Sequence, residues 1–261
     1  MSTQELDAGS TLSTDSGSKR AELIRLFIQP VAALLIAGIT LLVVFTKTLD
    51  ANELSTLNAD VLTTALLDHL VVTGLVTLLV VAISIPLGIV LTRKWAKPVA
   101  PLFTGIATIG QAAPAIGVVV LYFLWLGHGG VWVAVLPLTF VSLLPVLRNT
   151  MVGIQQVDPA LVDAGKGIGL SSAGVLFRVE LPLAIPLMLA GLRTSLVLAV
   201  GTATLALFVD AGGLGSIIDA GYKIGRISVL FTGAALTVAL ALLLDWLGAL
   251  AERFLGPKGL R

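Results

Sequence analysis

The sequence contains no cysteine, only two histidines and few charged side chains among its 261 residues. The absence of cysteine excludes disulfides, cysteine-ligated zinc, iron–sulfur clusters and thiol nucleophiles. Charged residues make up 12% of the chain and hydrophobic residues 57%, against about 25% and about 45–50% in ordinary soluble domains. This balance excludes a soluble enzyme and a nucleic-acid-binding domain. Together with a mean hydropathy of +1.03, it predicts an integral membrane protein.

Six apolar runs are long enough to cross a bilayer, whose core of about 30 Å requires roughly 20 helical residues. We therefore predict an all-α membrane protein with about six transmembrane helices. The first run is too long for the apolar region of a signal peptide, so we expect it to be retained. The predicted spans are Leu26–Phe45, Leu70–Thr92, Val99–Leu126, Val131–Leu147, Leu187–Val209 and Ser228–Ala249.

Lysine and arginine are distributed unevenly between the two sides of these spans. With the amino terminus inside, twelve of the sixteen basic residues lie on the cytoplasmic side and three on the outer side, while Arg193 lies within the fifth span. Cytoplasmic loops of membrane proteins carry such an excess of positive charge. We therefore expect both termini to be cytoplasmic.

Polar segments lie outside the spans at both ends of the chain and after the first span. Residues 1–25 show no apolar periodicity and are predicted to be a disordered cytoplasmic tail. Residues 250–261 are predicted to be a second cytoplasmic tail. The outer loop from Thr46 to His69 is acidic, and it is either a solvated linker or a docking surface for a partner outside the membrane.

The segment Arg148–Pro186 is a 39-residue cytoplasmic loop that is too polar to span the bilayer. Asp158 is expected to cap a helix that begins at the next residue, a proline, and stops at the glycines that follow. Ser171 or Ser172 is expected to cap a second helix that ends before Pro182. Two short helices of this kind would form a compact knob, suited either to contact with a soluble partner or to anchoring at the membrane interface.

Four separated elements within this loop stand at fixed spacing: Asp163-Ala164-Gly165, then Gly169, then Val179 and Leu181-Pro182. The pattern resembles the "EAA, three residues, G, nine residues, I-x-L-P" signature of permease subunits of binding-protein-dependent ABC importers. Asp, Gly and Val replace the family's Glu, second Ala and Ile. The resemblance implies the MetI-like fold of type I importer permeases, in which this loop, residues 149–186, docks on an ATPase subunit. It assigns to the coupling surface Asp163, Ala164, Gly165, Lys166, Gly169, Leu170 and Pro182.

Further stretches resemble the osmoprotectant permeases of that family, which carry glycine betaine, carnitine, choline or related quaternary amines. The resemblance covers about residues 66–249, which we assign to the permease domain, and leaves the first span and outer loop, residues 26–65, outside it. It implies a transport subunit, not an enzyme, in a prokaryotic plasma membrane. The matching stretches are residues 109–115, 143–150, 178–186, 190–194 and 208–215.

The resemblance also implies partners: two ATPase subunits, a second permease that is identical or homologous, and an extracytoplasmic substrate-binding protein. The glycines around Lys166 do not form a Walker A motif, because Ala160 and Gly167 occupy positions that require Gly and Ser or Thr. We therefore expect no cofactor in this chain, with ATP and Mg²⁺ bound by the partner ATPase. Two alternatives stay open: an importer of another small solute such as an amino acid, and a secondary transporter that works without ATP.

Aromatic residues are scarce, at 6% of the chain. A quaternary ammonium is held best by a cage of aromatic rings. The chain cannot easily build such a cage in mid-membrane, so we expect a separate binding protein to make the high-affinity selection.

Gln111 and Pro114 interrupt the third predicted span, which is overlong at 28 residues. The span is either a kinked, tightly packed helix or a broken helix that lines the translocation path. Irregular backbone at membrane depth is tolerated only against protein or a water-filled cavity. In the second case Gln111 would offer polar groups to a passing solute.

Two further features are candidates for the translocation path or its gate. Arg193 is either a functional intramembrane charge or a side chain that reaches the interface or pairs with a carboxylate such as Asp245. Asp210, Gly212 and Gly213 belong to a glycine-rich segment at the outer mouth. That segment is either a re-entrant or loop turn that requires positive φ, or an outer gate or a contact for the substrate-binding subunit.

Overall fold

The computed structural model describes residues 8–255 of the protein, with side chains from Phe27 onward, and this part is helical without strands. The all-α prediction is confirmed. Two short 3₁₀ helices, Lys97–Val99 and Thr204–Val209, and a π-helical turn, Leu176–Glu180, join longer helices. The α-helices are α1 (Ala8–Thr46), α2 (Ala51–Thr56), α3 (Ala59–Leu91), α4 (Ala100–Ala112), α5 (Ala115–Leu126), α6 (Val131–Gln155), α7 (Pro159–Gly167), α8 (Ser172–Val175), α9 (Leu181–Ala203), α10 (Leu214–Lys223) and α11 (Ile227–Leu255).

Within the described residues, five helical segments are long and apolar enough to cross a membrane, and the α4–α5 pair adds a sixth when its two halves are counted together. This confirms the prediction of about six spans. Helices α3, α6 and α11, with 33, 25 and 29 residues, are longer than the apolar runs that predicted them. Hydropathy marks only the roughly 20 residues inside the bilayer core, whereas a helix continues until its last turn is capped.

Both predicted tails are partly helical. The backbone of α1 is helical from Ala8, so the expected disorder over residues 1–25 is wrong for residues 8–25, while residues 1–7 lie outside the described residues. That stretch contains no proline, and extending an existing helix adds one hydrogen bond per residue without a new nucleation step. At the other end α11 continues to Leu255, and residues 256–261 lie outside the described part.

Helix α6 is the centre of the bundle. Of the residues in its most apolar stretch 61% are buried, against 11% in α1. It packs against α3, α4, α5 and α9. The shared core consists of small and branched side chains that exclude solvent completely, including Val76, Val135, Leu138 and Ala199.

Serine hydroxyls join α6 to its two main neighbours. Ser195 Oγ of α9 donates to the carbonyl oxygen of Ser142 at 2.8 Å, and Ser84 Oγ of α3 donates to that of Leu143 at 3.2 Å. Small polar residues at such contacts let helices approach closely and satisfy their hydroxyls across the interface. Helices α3, α6 and α9 thus form the framework that positions the remaining elements.

The two ends of the helix bundle carry different short helices. The backbone N–H of Gly130 donates to the carbonyl oxygen of Val209 at 2.6 Å, which brings the α5–α6 turn to the end of the 3₁₀ helix that follows α9. The first residue of α4, Ala100, packs with Leu91 and Leu147 at the other end of α3 and α6, so the α4–α5 pair extends from one end of the bundle to the other. We call the end that carries α7 the α7 end, and the end that carries α10 the α10 end.

Candidate functional site

Helix α7 is the most exposed part of the segment between α6 and α9. Asp158 Oδ1 accepts a hydrogen bond from the backbone N–H of Ala160 at 2.8 Å, and Pro159 stands in the first turn. The helix ends at Gly167, so the predicted cap and helix are confirmed. The segment is shorter than the predicted 39-residue loop because α6 continues to Gln155.

A left-handed residue turns the chain from α7 into α8. Gly169 has φ 88°, a conformation that costs glycine little and other residues more. Past it, the backbone N–H of Leu170 donates to the carbonyl oxygen of Gly165 at 3.1 Å. A Cβ added to Gly165 would lie 3.5 Å from the side chains of Val175 and Val179. The segment after the turn therefore packs directly on α7, and the predicted compact knob is present.

The second helix is capped by Ser171, whose Oγ accepts from the backbone N–H of Gly174 at 3.1 Å. The prediction that this helix ends before Pro182 is wrong. The chain remains helical through the π turn, in which the N–H of Leu181 donates to the carbonyl oxygen of Leu176, five residues earlier. This wider turn accommodates the ring of Pro182 in the first turn of α9, where its missing N–H does no harm.

The sequence-predicted coupling residues are divided between two places. Asp163 and Lys166 are 74% and 58% exposed and pair with each other at 3.0 Å, and Ala164 and Gly169 are exposed beside them. An ion pair this exposed contributes little to stability, which leaves both groups available to another molecule. Gly165 and Leu170 contact each other in the interior of the knob and Pro182 lies in the first turn of α9, so their positions are structural.

Sequence reasoning missed the exposed apolar side chains of the knob, which we define as residues 159–180. Leu161, Ile168 and Phe177 are 48%, 80% and 68% exposed. Exposed apolar groups rimmed by polar residues mark interaction surfaces. Only their exposure, which depends on how α7 and α8 pack, distinguishes them from the buried apolar residues of the same segment.

An ion pair connects the knob to the end of α3. Arg93 donates from both terminal nitrogens to Glu180, at 3.2 Å to Oε1 and 2.7 Å to Oε2, across a separation of 87 residues. Glu180 is buried, at 8% exposure. Bidentate pairing fixes the orientation of both groups as well as their distance. No sequence signal links these positions, since their proximity depends on the packing of α3 against α9.

Arg193 is paired, as one of the two sequence interpretations predicted. Its Nη2 donates to Asp245 Oδ2 at 2.7 Å, its Nε donates to Asp245 Oδ1, and Gln29 Nε2 donates to the same carboxylate. The prediction of Asp245 as partner is confirmed. The three side chains join α1, α9 and α11 near the α7 end, so this charge is neutralised inside the bundle.

The third predicted span is a broken helix. Helices α4 and α5 meet at an angle of 97°, and the kinked-helix alternative is therefore wrong. Ala113 adopts ψ 141° before Pro114, the extended conformation that proline imposes on the residue preceding it. Gln111 and Pro114 are both exposed at the break.

The segment after α9 forms a tight turn, as one interpretation predicted. Asp210, Gly212 and Gly213 all have positive φ, at 56°, 68° and 95°. A Cβ on Gly212 would collide with the carboxyl group of Asp68 on α3. Beside them His69 accepts from the backbone N–H of Leu214 at 3.3 Å through Nδ1, which fastens the turn to α3.

Charged side chains fold the acidic loop against α11 at the α10 end. Asp50 Oδ1 accepts from the backbone N–H of Glu53 at 2.8 Å and Asp50 Oδ2 binds Arg226 Nε at 2.7 Å, and these hydrogen bonds lower the pKa of Asp50. Glu53 is buried at 4% exposure. Its pKa is lowered by the hydroxyl of Ser228, by the backbone N–H of Asp50 and by Lys47, 3.1 Å away. The loop is therefore fixed to the beginning of α11, while most of its residues from Thr46 to Asp60 are exposed. The solvated linker and the docking surface both stay predictions.

Comparison with known proteins places this geometry in a family. The family model described as "Binding-protein-dependent transport system inner membrane component" matches residues 84–256. The choline transport system permease protein OpuBB of Bacillus subtilis (strain 168) is 40% identical over 74% of this chain and 88% of its own length. The osmoprotectant import permease protein OsmW of Salmonella typhimurium (strain LT2) is 37% identical over 78% of this chain and 96% of its own.

Solved structures share the fold at lower identity. A chain of the MetNI methionine ABC transporter in an inward-facing conformation aligns with a TM-score of 0.65 and 24% identity, over 75% of this chain and 96% of its own. A chain of an amino acid ABC transporter crystallised with histidines aligns with a TM-score of 0.63 and 19% identity, over 80% of this chain and 100% of its own. At these identities the likeness establishes the helical arrangement alone.

Proposed function

The chain belongs to the family of binding-protein-dependent transport system inner membrane components, and we propose that it is the permease of an ATP-driven importer of osmoprotectants. It is an ABC transporter permease and a multi-pass membrane protein. The substrates we propose are quaternary amines such as glycine betaine, carnitine or choline. Support comes from two relatives, one named for choline and the other for osmoprotectant import.

The exposed knob is the observation that carries this proposal. It presents Asp163 and Lys166 together with Leu161, Ile168 and Phe177, a mixture of charge and apolar surface suited to a soluble protein partner. We assign that partner as an ATPase subunit, which binds ATP and Mg²⁺. The permease itself contributes no covalent chemistry.

The assembly we propose contains two ATPase subunits, a second permease of the same or a homologous sequence, and an extracytoplasmic binding protein. We place the α7 end and both termini in the cytoplasm, because the loops at that end carry most of the lysine and arginine. Residues 66–249 then form the transport domain, and α1 is an additional helix.

Movement of the knob is transmitted to the bundle through two connections. The π turn joins α8 to α9 without a break, so a displacement of the knob moves α9 directly. The Arg93–Glu180 pair connects the same turn to α3. ATP-driven closure of the ATPase dimer would thus rock α3 and α9 together, between inward-facing and outward-facing arrangements.

We place the translocation path along the exposed break between α4 and α5. Gln111 and Pro114 lie there, and the interrupted backbone leaves polar groups that a water-filled path can satisfy. The turn formed by Asp210, Gly212 and Gly213 is our candidate for the gate at the α10 end. Arg193 contributes to the stability of the path by holding α9 against α11.

Purification of the tagged chain in mild detergent, followed by mass spectrometry, tests the proposed assembly. We expect an ATPase subunit in the sample, and a second permease sequence would identify a heterodimer. A single pure species with no ATPase would favour an ATP-independent transporter and refute the proposal. Competition for uptake between labelled choline and amino acids would distinguish an osmoprotectant importer from an amino acid importer.

A further inference from the structure

A cavity of about 310 Å³ opens at the α10 end, between the 3₁₀ helix Thr204–Val209 and α10. Its volume lies at the lower end of the range of about 300–1,000 Å³ that small-molecule sites occupy. The cavity therefore has room for a compact solute. Its apolar wall includes Leu207, Ile218 and Leu230.

Two aromatic rings and one carboxylate line the same cavity: Phe208, Tyr222 and Asp219. Phe208 and Tyr222 are 45% and 78% exposed, so both residues are accessible to a ligand. The Asp219 side chain is 26% exposed, and the Lys223 ammonium neutralises it from 2.7 Å away. Exposed aromatic rings beside a neutralised carboxylate attract a bulky cation through their faces and not through a net charge.

The three groups come from two successive helices of the chain. Phe208 lies on the 3₁₀ helix that follows α9, while Asp219 and Tyr222 lie on α10. The left-handed residues Asp210, Gly212 and Gly213 lie between the two elements, and the turn that they form brings the two elements to one cavity. The fold creates this arrangement, and an aromatic content of 6% did not predict it.

We propose that this cavity, which we call the ring pocket and define by Phe208, Asp219 and Tyr222, binds the quaternary ammonium group of the transported solute. The identity of the solute rests on the proposed function, whereas recognition of the cation rests on the pocket. The rings attract the trimethylammonium group through their faces, and the ion pair between Asp219 and Lys223 keeps the lysine charge compensated beside it. The apolar wall accepts its methyl groups without a hydrogen bond. A neutral isostere loses the attraction to the ring faces, so the pocket discriminates by charge as well as by size.

Binding of labelled choline to the full-length chain in nanodiscs tests this proposal. We expect tetramethylammonium to compete and the neutral isostere 3,3-dimethylbutanol not to compete. Phe208→Leu and Tyr222→Leu should each weaken binding by about three- to tenfold, while Tyr222→Phe keeps the ring and should bind normally. Asp219→Asn should also weaken binding, because it leaves the positive charge of Lys223 uncompensated beside the cation, provided that size-exclusion chromatography shows an intact protein.

Two exposed positions at the same end provide matched controls. Phe231→Leu removes an aromatic ring that is 65% exposed on α11, and Asp60→Asn removes a carboxylate that lines a separate cavity of about 280 Å³. Neither change should alter choline binding. Equal competition by the neutral isostere, or equal losses in the control variants, would overturn the proposal. So would a wild-type chain that binds neither cation at millimolar concentration.

Uptake by cells that express the chain with its partner subunits separates the two proposals. Normal choline uptake in both ring variants would refute the ring pocket as a solute site and leave the proposed function intact. If those variants also lose binding in nanodiscs, the pocket belongs to a lipid head group of the same chemistry. Binding of tetramethylammonium without uptake of any quaternary amine by the wild type would refute the proposed function and keep the cation site.

Discussion

Removal of the charge on Glu180 tests how firmly the knob is connected to the bundle. Glu180→Gln keeps the shape of the side chain but replaces a bidentate carboxylate, bound by Arg93 at 3.2 and 2.7 Å, with a neutral amide. Arg93→Gln removes the other partner and leaves Glu180, a buried carboxylate, without its cation. A buried charge without a partner is costly, so we expect the arginine substitution to be the more destabilising of the two.

The expected magnitude follows from the exposure of the two side chains. Two unit charges about 4 Å apart attract each other by about 4 kcal/mol at an effective dielectric constant of about 20. The side chains of Arg93 and Glu180 are 32% and 11% exposed. Water at the arginine therefore screens part of this attraction, and the cost of desolvating the carboxylate offsets a further part. We therefore expect a coupling free energy of about 1–2 kcal/mol between the two positions, which is less than the roughly 3–5 kcal/mol that removing one partner costs in a fully buried pair.

A double-mutant cycle measures this coupling. The wild type, both single variants and the double variant are unfolded by SDS in mixed micelles and followed by circular dichroism. Arg178→Gln removes an exposed positive charge two residues from Glu180 and should change stability by less than about 0.5 kcal/mol. Single-variant effects that add to within about 0.5 kcal/mol would refute the connection between α3 and the knob.

Three further predictions concern the contacts that hold the acidic loop against α11, the tight turn and the knob. The pKa of Glu53 is lowered in the folded protein. The stability that this group contributes is therefore complete above its unfolded pKa of about 4 and decreases as the pH falls through the folded pKa. The melting temperature should drop more steeply in acid for the wild type than for Glu53→Gln, and parallel curves for the two proteins would contradict this. Gly212→Ala should destabilise the protein by about 1–3 kcal/mol, because the residue has a positive φ and the added methyl group would collide with a neighbouring carboxyl group. As a control, Gly74→Ala places its methyl group in open space on α3 and should be neutral or stabilising in the same melting assay. Asp163→Ala and Gly169→Leu should reduce solute uptake relative to ATP hydrolysis while membrane insertion stays normal, and normal uptake in both would refute the coupling role of the knob.

Short-range features of the fold were predictable from the sequence. Asp158 caps α7 because its side chain accepts a hydrogen bond from a backbone N–H that has no partner within the helix, and because the proline that follows fits the first helical position. Both effects act within three residues. The break at Pro114 likewise follows from the constraint that proline places on the residue before it. The π turn escaped prediction for a different reason. Pro182 normally ends a helix, and only the packing of α9 into the bundle makes the wider turn the better alternative.

Pairing between distant charges could be predicted only where few partners were available. Arg193 and Asp245 stand 52 residues apart, and both lie in apolar spans where a charge needs a partner, so the sequence suggested the pair. Arg93 and Glu180 lie near the ends of their helices, among other charged residues. There the sequence offers several partners, and the geometry alone selects one.

By itself, the sequence determined that this protein crosses a membrane with about six helices, and where its exposed knob begins. Those properties depend on the length of apolar runs and on caps that act within one helical turn. The tertiary structure decided which side chains meet: the Arg93–Glu180 pair, the contacts between the acidic loop and α11, and the ring pocket. Each joins residues from separate helices, and their distances are set by how whole helices pack rather than by any local preference.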